Sequence, residues 1–567
     1  MPNFVGLFLR LVIIMKKLTI FAAVIAVMAL LSSAATRSRK VDISRNLDIF
    51  NSLYRELQTF YVDSIDAEKS INTAIAAMLD DIDPYTEYIP AKEQAQFRTM
   101  TTGEYGGIGS LIQETPRGVI ISEPYAGSPA LEAGLRPGDR IIMIDGDSTA
   151  GWRSDKVSDR LKGQSGTMVS VTVNRPYVAD SIRTFDIKRR KIQIPSVPYY
   201  GMLRDNTGYI ILNTFSEKSY PDVRAAVEAL KAQGAERLVL DLRGNGGGLV
   251  ESAVQILGIF LPKGTTVLNT RGRGVLSEKV YKTSVNPIDT KMPLAVLIDG
   301  SSASASEIVT GALQDLDRAV VIGNRSFGKG LVQSTRQLPY DGILKVTVAK
   351  YYIPSGRLIQ AIDYSHRNPD GSVGRIPDSL TTVFHTSGGR EVRDGGGITP
   401  DVTVPFSDIN RLTFNVVRDN WAFDFATRYA ATHDTIAPPE LFEVTDSIYA
   451  EFKAFIDPKR FNYDKVCETA VDQLRKLAEA EGYMNDSTTR QFDILASMLK
   501  HDLNRDLDIN RKAITPYLAS EIVGRYYQQR GEIINSLRSD ATVDSALTIL
   551  NSPRYGEILS PNTSSKR

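Results

Sequence analysis

A cluster of serines and one lysine are the residues of this chain best suited to covalent chemistry. The serines are Ser301, Ser302, Ser304 and Ser306. Lys329 follows between two glycines in an apolar neighbourhood. A serine becomes a nucleophile when a base takes its proton, and a lysine is that base once burial has removed its charge. The four histidines are widely scattered, so lysine is the candidate base, and these residues indicate acyl transfer.

The serine cluster lies where a strand is predicted to turn into a helix. Residues 294–298 are an apolar strand-like run, and residues 308–316 have a helical period. Such a turn exposes a hydroxyl beside helix N-terminal amides, which stabilise an oxyanion. A structural alternative stays open, because Ser304 and Glu307 match a capping box and small residues also serve close packing.

A glycine-rich stretch at residues 243–248 is a second candidate element of the site. It follows a buried-strand run at residues 237–242 and precedes an apolar helix that reaches Leu261. Strand, glycine turn and helix N-terminus together present several backbone N–H donors to one spot. That arrangement suits a phosphate or an oxyanion.

Nucleotide binding is the competing interpretation of these glycines. Residues 323–329, GNRSFGK, fit the GxxxxGK pattern of a phosphate-binding loop after a predicted strand. Gly330 stands where a serine or threonine would hold magnesium, and residues 331–335 do not resemble a helix start. The stretch 243–248 also misses the GxGxxG pattern. We therefore expect no nucleotide and no other cofactor. We also expect no metal, since the chain has one cysteine and its four histidines lack metal-ligand spacing.

Length and composition indicate a multidomain globular protein. The chain has 567 residues, enough for about four units at roughly 150 residues each. Lys and Arg together number 67 against 66 for Asp and Glu, so no net charge favours nucleic acid as a partner.

The N-terminus resembles a targeting segment. Lys16 and Lys17 precede an apolar core, which ends in the small residues 32–35. This pattern predicts a secretory signal over residues 1–35, with an uncleaved inner-membrane anchor and so a membrane association as the alternative. We expect an exported protein, periplasmic or associated with the cell envelope.

Helical periodicity dominates both flanks of the chain. Residues 36–100 read as helices that form a packing or dimerising module, which makes a homo-oligomer an open expectation. Residues 406–567 read mostly as amphipathic helices, with a polar end. The extension could dimerise, shield a cleft or bind a partner, and its pattern does not choose among these roles.

Residues 101–190 resemble a PDZ domain. The similarity rests on EYGGIG, GSPA, AGLRPGD and a following apolar run that ends in DG. PDZ domains bind C-terminal peptide tails as an added strand, beside a loop whose amides take the terminal carboxylate. By position, the resemblance assigns that peptide-binding loop to Gly107, Ile108 and Gly109.

Seven ordered motifs resemble those of the carboxy-terminal processing peptidases, also called tail-specific proteases. They are LDDIDPYTEY, the PDZ pattern, DLRGNGGG, SASASEIVTGALQD, SFGKGLVQ, KYYIPSGRLIQ and GGGITPD, spread over residues 60–405. The resemblance implies a multidomain α/β protein with a β-rich PDZ domain. That PDZ domain is inserted before a crotonase- or ClpP-like αβ serine peptidase core at residues 191–405.

Within that family a Ser–Lys dyad performs the chemistry. The resemblance assigns Ser304 as the nucleophile and Lys329, 25 residues later, as the general base. Gln333 would hydrogen-bond to the lysine amine and orient it.

The resemblance also implies an oxyanion hole. It would consist of the amides of Ala305 and of Gly247 or Gly248. The family usually has proline where this chain has Gly246, which leaves the choice of the second donor open.

The resemblance implies a serine endopeptidase for unfolded or precursor proteins with apolar C-termini. Two other classes compete with it. One is a PDZ scaffold or chaperone with an inactive core, although Ser304, Lys329 and Gln333 are all present. The other is a crotonase-like enzyme acting on acyl thioesters, whose coenzyme is not expected outside the cytoplasm.

Overall fold

The structure is a computed structural model. It describes residues 42–273, 278–368, 372–405, 409–462 and 464–560. The predicted signal segment 1–35 lies outside these residues. No helix within the described ranges combines the length and the apolar character that a membrane span needs. The chain divides into two compact units, Met1–Asp81 and Ile82–Arg567.

Two helices form the described part of the first unit. Helix α1 covers residues 42–60, and helix α2 covers Ala67–Asp80. The hydroxyls of Tyr54 and Ser70 are hydrogen-bonded to each other at 2.9 Å, which joins the two helices. Most large apolar side chains of α1 remain exposed.

The second unit begins with a short strand, a helix and then the region that resembles a PDZ domain. The elements are β1 (Glu87–Ile89), α3 (Gln94–Thr102), β2 (Glu104–Gly107), β3 (Ser110–Thr115), β4 (Gly118–Pro124), α4 (Pro129–Ala133), β5 (Arg140–Ile144), β6 (Asp147–Ser148), α5 (Ser154–Leu161), β7 (Met168–Asn174), β8 (Ile182–Lys188) and β9 (Arg190–Gln193). Strands β3-β4-β5-β7-β8 form an antiparallel sheet in that order, with β3 at one end. Alternate residues of β7 (Val169, Val171 and Val173) fill its core.

The αβ core follows. Its elements are β10 (Tyr199–Met202), β11 (Thr207–Ile211), α6 (Ser219–Ala232), β12 (Arg237–Asp241), α7 (Val250–Phe260), β13 (Thr266–Gly272), β14 (Lys279–Lys282), β15 (Leu294–Ile298), α8 (Ala305–Asp315), β16 (Val320–Gly323), β17 (Leu331–Gln337), β18 (Ile343–Tyr352), β19 (Ile362–Arg367), β20 (Val373–Arg375), β21 (Val383–His385), β22 (Glu391–Arg393) and β23 (Val402–Thr403). The main sheet has the order β10-β11-β12-β15-β16-β23, and β11 through β23 run parallel. This parallel order brings the carboxyl ends of β12 and β15 side by side.

Helices in the C-terminal region complete the second unit. They are α9 (Arg411–Arg418), α10 (Trp421–Thr432), α11 (Asp446–Phe455), α12 (Val466–Ala480), α13 (Asp486–Leu499), α14 (Leu503–Ile509), α15 (Arg511–Ser536), α16 (Ala541–Leu550) and α17 (Arg554–Leu559). Helix α15 has a kink at Gln528, whose φ is 52°. The N–H of Gln529, directly after the kink, donates to Glu123 Oε1 on β4 at 2.9 Å. This bond connects the C-terminal helices to the β-rich region.

The main sheet is buried on both faces, and the C-terminal region supplies one of the two covers. Leu240 and Val296 pack with helices α6, α7 and α8. Val239 and Leu297 point the other way and pack with apolar residues of α16, such as Leu547. Burial of both faces explains why β15 and the centre of β12, residues 238–240, are continuous apolar runs rather than alternating ones.

Candidate active site

The serine-bearing turn connects β15 to α8. Ser304 directly precedes the helix and is partly exposed. Its backbone has φ 56° and ψ −112°, a conformation that residues with a side chain rarely adopt. A sharp strand-to-helix turn of this kind presents the serine hydroxyl above the sheet and beside the first amides of the helix.

The neighbouring serines have structural hydrogen bonds. Ser302 Oγ donates to the Leu242 carbonyl and Ser306 Oγ to the Asn245 carbonyl, each at 2.8 Å, and both hydroxyls are buried. These two bonds hold the serine turn against the glycine turn that follows β12. Ser301 and Ser304 still reach solvent, and of these two Ser304 directly precedes the helix.

The glycine turn lies directly against Ser304. It connects β12 to α7, and Gly247 within it has φ 100°. A Cβ at Gly247 would lie 2.8 Å from the Cβ of Ser304 and 2.9 Å from the amide nitrogen of Ala305. Only glycine permits this approach and this backbone angle together.

The backbone amides around Ser304 differ in their hydrogen bonding. The Gly247 N–H donates to Asn245 Oδ1 at 2.8 Å. Among the residues that the structure describes, the N–H groups of Gly248 and Ala305 have no acceptor. Of the three amides assigned to an oxyanion hole, these two are therefore open to a ligand.

Asp299 joins the two turns, a role that the sequence analysis missed. Its Oδ1 accepts from the N–H of Gly244 at 3.1 Å, from that of Ser301 at 2.9 Å and from that of Ser302 at 3.1 Å. The signal available in the sequence was an aspartate directly after a buried strand and before Gly-Ser-Ser, which is typical of an Asx turn.

Glu307 links the backbone of the serine turn to that of the loop that carries Lys329. Its Oε2 accepts from the N–H of Ser304 at 2.8 Å and from that of Lys329 at 2.9 Å. Its Oε1 accepts from Ser326 Oγ at 2.5 Å and from the Gly328 N–H at 2.7 Å. Burial raises the pKa of Glu307 to about 7, although all four hydrogen bonds lower it. The capping box is present, and it is one part of this larger connection.

The environment of Lys329 lowers its pKa. Burial, helped by the positive charge of Lys345, brings the pKa of Lys329 down to about 8, although nearby carboxylates such as Glu307 act in the other direction. The Lys329 ammonium lies 4.3 Å from the centroid of the Tyr85 ring. Within the described part of the chain, no hydrogen bond joins Lys329 Nζ to Ser304.

The two glycines beside Lys329 allow its loop to press against a neighbouring segment. A Cβ at Gly328 would lie 2.3 Å from the Cβ of Ala361, and one at Gly330 would lie 2.8 Å from the Gln360 nitrogen. The residues after Gly330 form strand β17 rather than a helix. This geometry differs from that of a phosphate-binding loop, as the sequence predicted.

Gln333 lies on β17 near the lysine loop. Its Nε2 donates to Thr347 Oγ1 on the adjacent strand β18 at 3.2 Å. The described contacts of Gln333 do not include the Lys329 amine. Its assigned role in orienting Lys329 stays a prediction.

The predicted peptide-binding loop connects β2 to β3. The carbonyl of Ile108 accepts from the Ala130 N–H and that of Gly109 from the Tyr125 N–H, each at 2.9 Å. The amides of Ile108 and Gly109 have no acceptor among the described residues. Gly107 ends β2, and Gly109 has φ 76°. The loop is thus fixed through its carbonyls, with two amides open to a carboxylate.

Comparison with known proteins identifies three regions of the chain. A family described as Peptidase family S41 matches residues 206–373, and PDZ domain matches residues 97–174. A family described as Probable PDZ-protease, C-terminal helical domain matches residues 412–550.

Individual relatives are also similar. The Carboxy-terminal-processing protease of Bartonella bacilliformis is 35% identical over 373 residues, which is 65% of this chain and 84% of that protein. A Probable CtpA-like serine protease of Staphylococcus aureus is 34% identical, over 60% of this chain and 68% of that protein. The solved photosystem II D1 C-terminal processing protease is 28% identical, with a TM-score of 0.34, over 62% of this chain and 86% of that one.

The matched regions include the serine turn, the glycine turn, the lysine loop and the PDZ loop. The Bartonella relative meets this chain over most of its own length. The chain therefore belongs to the carboxy-terminal-processing proteases of peptidase family S41, which are serine proteases that carry a PDZ domain.

Proposed function

We propose that Ser304 and Lys329 are the catalytic dyad of this protease. The observation that carries the proposal is their joint connection through Glu307, which binds the backbone N–H of both residues. A pKa of about 8 leaves an appreciable fraction of Lys329 neutral near neutral pH. The strained backbone of Ser304 adds support, because such strain concentrates at functional sites.

In the proposed mechanism, neutral Lys329 takes the proton of Ser304 as Oγ attacks the carbonyl carbon of a peptide bond. The negative oxygen that forms is held by the Ala305 amide and by a second amide from the glycine turn. We favour Gly248 over Gly247 as this second donor, because the Gly247 N–H already donates to Asn245. Lys329 then protonates the leaving amine, and a water activated by the same lysine releases the acyl group.

In the proposed mechanism, the side chain of Lys329 turns towards Ser304 before it acts. Its amine rests over the Tyr85 ring, an arrangement that favours the ammonium form. Rotation of the side chain from Tyr85 towards Ser304 would complete the dyad. An inactive PDZ scaffold could have the same separation between the lysine and the serine as an enzyme at rest. Activity measurements distinguish the two.

The PDZ loop would select substrates by their C-termini. The amides of Ile108 and Gly109 are open to a terminal carboxylate, and β3 lies at the end of its sheet, where a peptide can add as a strand. A Cβ at Gly107 would lie 2.8 Å from the Tyr105 ring, so Gly107→Val should disturb the loop. We expect this variant to lose its preference for apolar tails and to retain basal cleavage.

The proposed site of action is outside the cytoplasm, in the periplasm or at the cell envelope, because residues 1–35 match an export signal. The exposed apolar side chains of α1 would pair with a second copy of the chain. These residues are Ile43, Leu47, Phe50, Leu53 and Leu57. Their spacing is close to that of a helix-pairing seam.

Incubation with an unfolded protein tests the dyad. The chain lacking residues 1–35 should cleave the substrate. Ser304→Ala and Lys329→Ala should each lower kcat/KM at least a thousandfold, in line with the loss of a catalytic nucleophile or base. The far-ultraviolet circular dichroism of both variants should stay unchanged. Substrates that end in apolar or in charged residues provide the matched pair for the PDZ role. Full activity of either variant would exclude the dyad, and inactivity of the unmodified chain on all substrates would favour the scaffold.

A further inference from the structure

Among the described residues, an ion pair between Arg243 and Asp540 connects the C-terminal region to the glycine turn. Arg243 is the second residue after β12 and directly precedes Gly244. Its Nη2 lies 2.7 Å from Asp540 Oδ2, and its Nη1 lies 3.1 Å from Asp540 Oδ1. Asp540 thus binds the guanidinium with both carboxylate oxygens, the geometry in which an arginine–carboxylate pair is strongest.

A second carboxylate binds the same guanidinium. Arg243 Nη2 lies 2.6 Å from Asp241 Oδ2, and the Arg243 N–H donates to Asp241 Oδ1 at 2.9 Å. The Asp241 side chain is 1% exposed, against 25% for Arg243 and 19% for Asp540. Asp241 also accepts from the Tyr209 hydroxyl at 2.7 Å. The cluster is therefore largely shielded from water, so its contacts are strong and directional.

Arg243 is the first residue of the turn that faces the nucleophile. Gly244 follows with φ 70°, and its N–H donates to Asp299. Three residues further on, Gly247 approaches Ser304 and Ala305 closely. A shift of the Arg243 backbone would therefore move the amides that face the reacting carbonyl.

Asp540 is itself held in place. Its Oδ1 accepts from the N–H groups of Thr542 at 2.9 Å and Val543 at 3.1 Å, which makes it the N-cap of α16. Helix α16 packs on one face of the main sheet, where Val543 and Leu547 are buried. The helix thus delivers a fixed carboxylate to Arg243.

We infer that Asp540 is a positioning residue for peptide hydrolysis, which acts through Arg243 to hold the glycine turn in the geometry that binds the oxyanion. The inference rests on the oxyanion role proposed above for that turn. It assigns the C-terminal region a part in the chemical step, since the turn is incomplete without a side chain from residues beyond the peptidase core.

Asp540→Asn tests the inference, because asparagine caps a helix as well as aspartate but removes the charge and one acceptor. We expect kcat on a peptide reporter to fall about tenfold, which is about 1.4 kcal/mol of activation free energy, with KM within about twofold. A peptide boronate, which forms a tetrahedral adduct with the serine, should bind about tenfold more weakly. Affinity for the product peptide should not change, whereas the denaturation midpoint should fall because the guanidinium loses a charged partner.

Asp544→Asn is the matched control. Asp544 lies on the same helix and pairs with Arg204 at 2.7 Å, away from the glycine turn. This variant should retain the kcat and the boronate affinity of the unmodified chain. Asp540→Glu keeps the charge and should recover part of the lost kcat.

Two results would overturn the inference. One is an Asp540→Asn enzyme with the kcat and boronate affinity of the Asp544→Asn control. The other is a loss of product affinity in parallel with kcat, which would mean a general structural role. Ser304→Ala, measured alongside, separates the two proposals: its full activity would refute the dyad, whereas its inactivity beside a fully active Asp540→Asn would refute the role of Asp540 alone.

Discussion

Two glutamates in different regions have a pKa raised to about 7, and their surroundings are opposite. At the start of α8, burial raises the pKa of Glu307, and four hydrogen-bond donors lower it. In α15, burial raises the pKa of Glu532, the carboxylates of Glu123 and Glu521 raise it further, and Arg525 lowers it. The first region surrounds a carboxylate with donors, and the second gathers carboxylates together.

A similar pKa therefore does not imply a similar role. Neutralising Glu307 takes acceptors away from buried N–H and O–H donors, which cannot hydrogen-bond to water instead. Neutralising Glu532 relieves repulsion between like charges. The region at Glu307 therefore requires hydrogen-bond acceptors at that position, whereas the region at Glu532 requires none.

Glu307→Gln should have the largest effect. Glutamine keeps the shape, but its amide nitrogen cannot accept the two hydrogen bonds that one carboxylate oxygen accepts. We expect the free energy of unfolding to fall by about 3 kcal/mol. The loss should appear in chemical denaturation of a Ser304→Ala background, which prevents self-cleavage. In the active enzyme, kcat/KM should fall at least about a hundredfold, because the backbones of Ser304 and Lys329 lose their common partner.

Glu532→Gln in the same background is the matched control, since it makes the same chemical change at a residue with a similar pKa. We expect no loss of stability from it. Equal losses in the two variants would contradict the distinction between the two regions.

The pH dependence of kcat/KM should show a smaller effect in the catalytic region. Because the proposed mechanism needs neutral Lys329, activity should rise with pH and level off above about 8, with about a tenfold loss per pH unit below. Below about 7 the slope should steepen, as Glu307 also takes up a proton. The measurement is the initial rate on a short peptide at low substrate concentration. A flat profile across this range would exclude Lys329 as a base with this pKa.

Stability should depend on pH at the contact between the PDZ domain and the C-terminal helices. Glu532 has a raised pKa in the folded chain, so folding favours its protonated form, and stability is lost as pH rises towards about 7. Glu532→Gln should remove part of this loss, on the order of 1 kcal/mol at about pH 8, with little effect at about pH 4. Denaturation at the two pH values measures it. Destabilisation by the variant at high pH would contradict the like-charge interpretation.

The smallest effect should come from Lys345, whose charge lowers the pKa of Lys329. Lys345→Gln should raise the pKa of Lys329, so the rise of kcat/KM with pH should move by a few tenths of a unit to higher pH. As a result, kcat/KM near pH 7 should fall about twofold. Lys350→Gln, on the same strand, should leave the pH profile unchanged. A shift to lower pH would contradict the electrostatic origin of the lowered pKa.

Part of the site could be predicted from the sequence, and the reason is local. The strand, turn and helix around Ser304 follow from periodicity, and ordered motifs point to Lys329. The central position of Glu307 could not be predicted, because the capping box accounts for one of its four hydrogen bonds. The other three donors belong to residues 326–329, which only tertiary packing brings to the start of α8.

The same limit applies to the fold. Continuous apolar runs at residues 238–240 and 294–298 predict strands buried on both faces. They do not reveal which segments cover each face. The amphipathic pattern of α16 would suit dimerisation equally well, and its place on the main sheet is decided by shape and packing between residues far apart in the chain.

The backbone of Ser304 has a consequence for the evolution and engineering of this protein. Its φ of 56° and ψ of −112° suit glycine, the residue without a Cβ, and a serine held there costs the fold on the order of 1–3 kcal/mol. Ser304→Gly should therefore yield a chain that is more stable and cannot cleave anything. Selection for thermal resistance alone would favour glycine here, so the proposed nucleophile would persist only where its chemistry is needed.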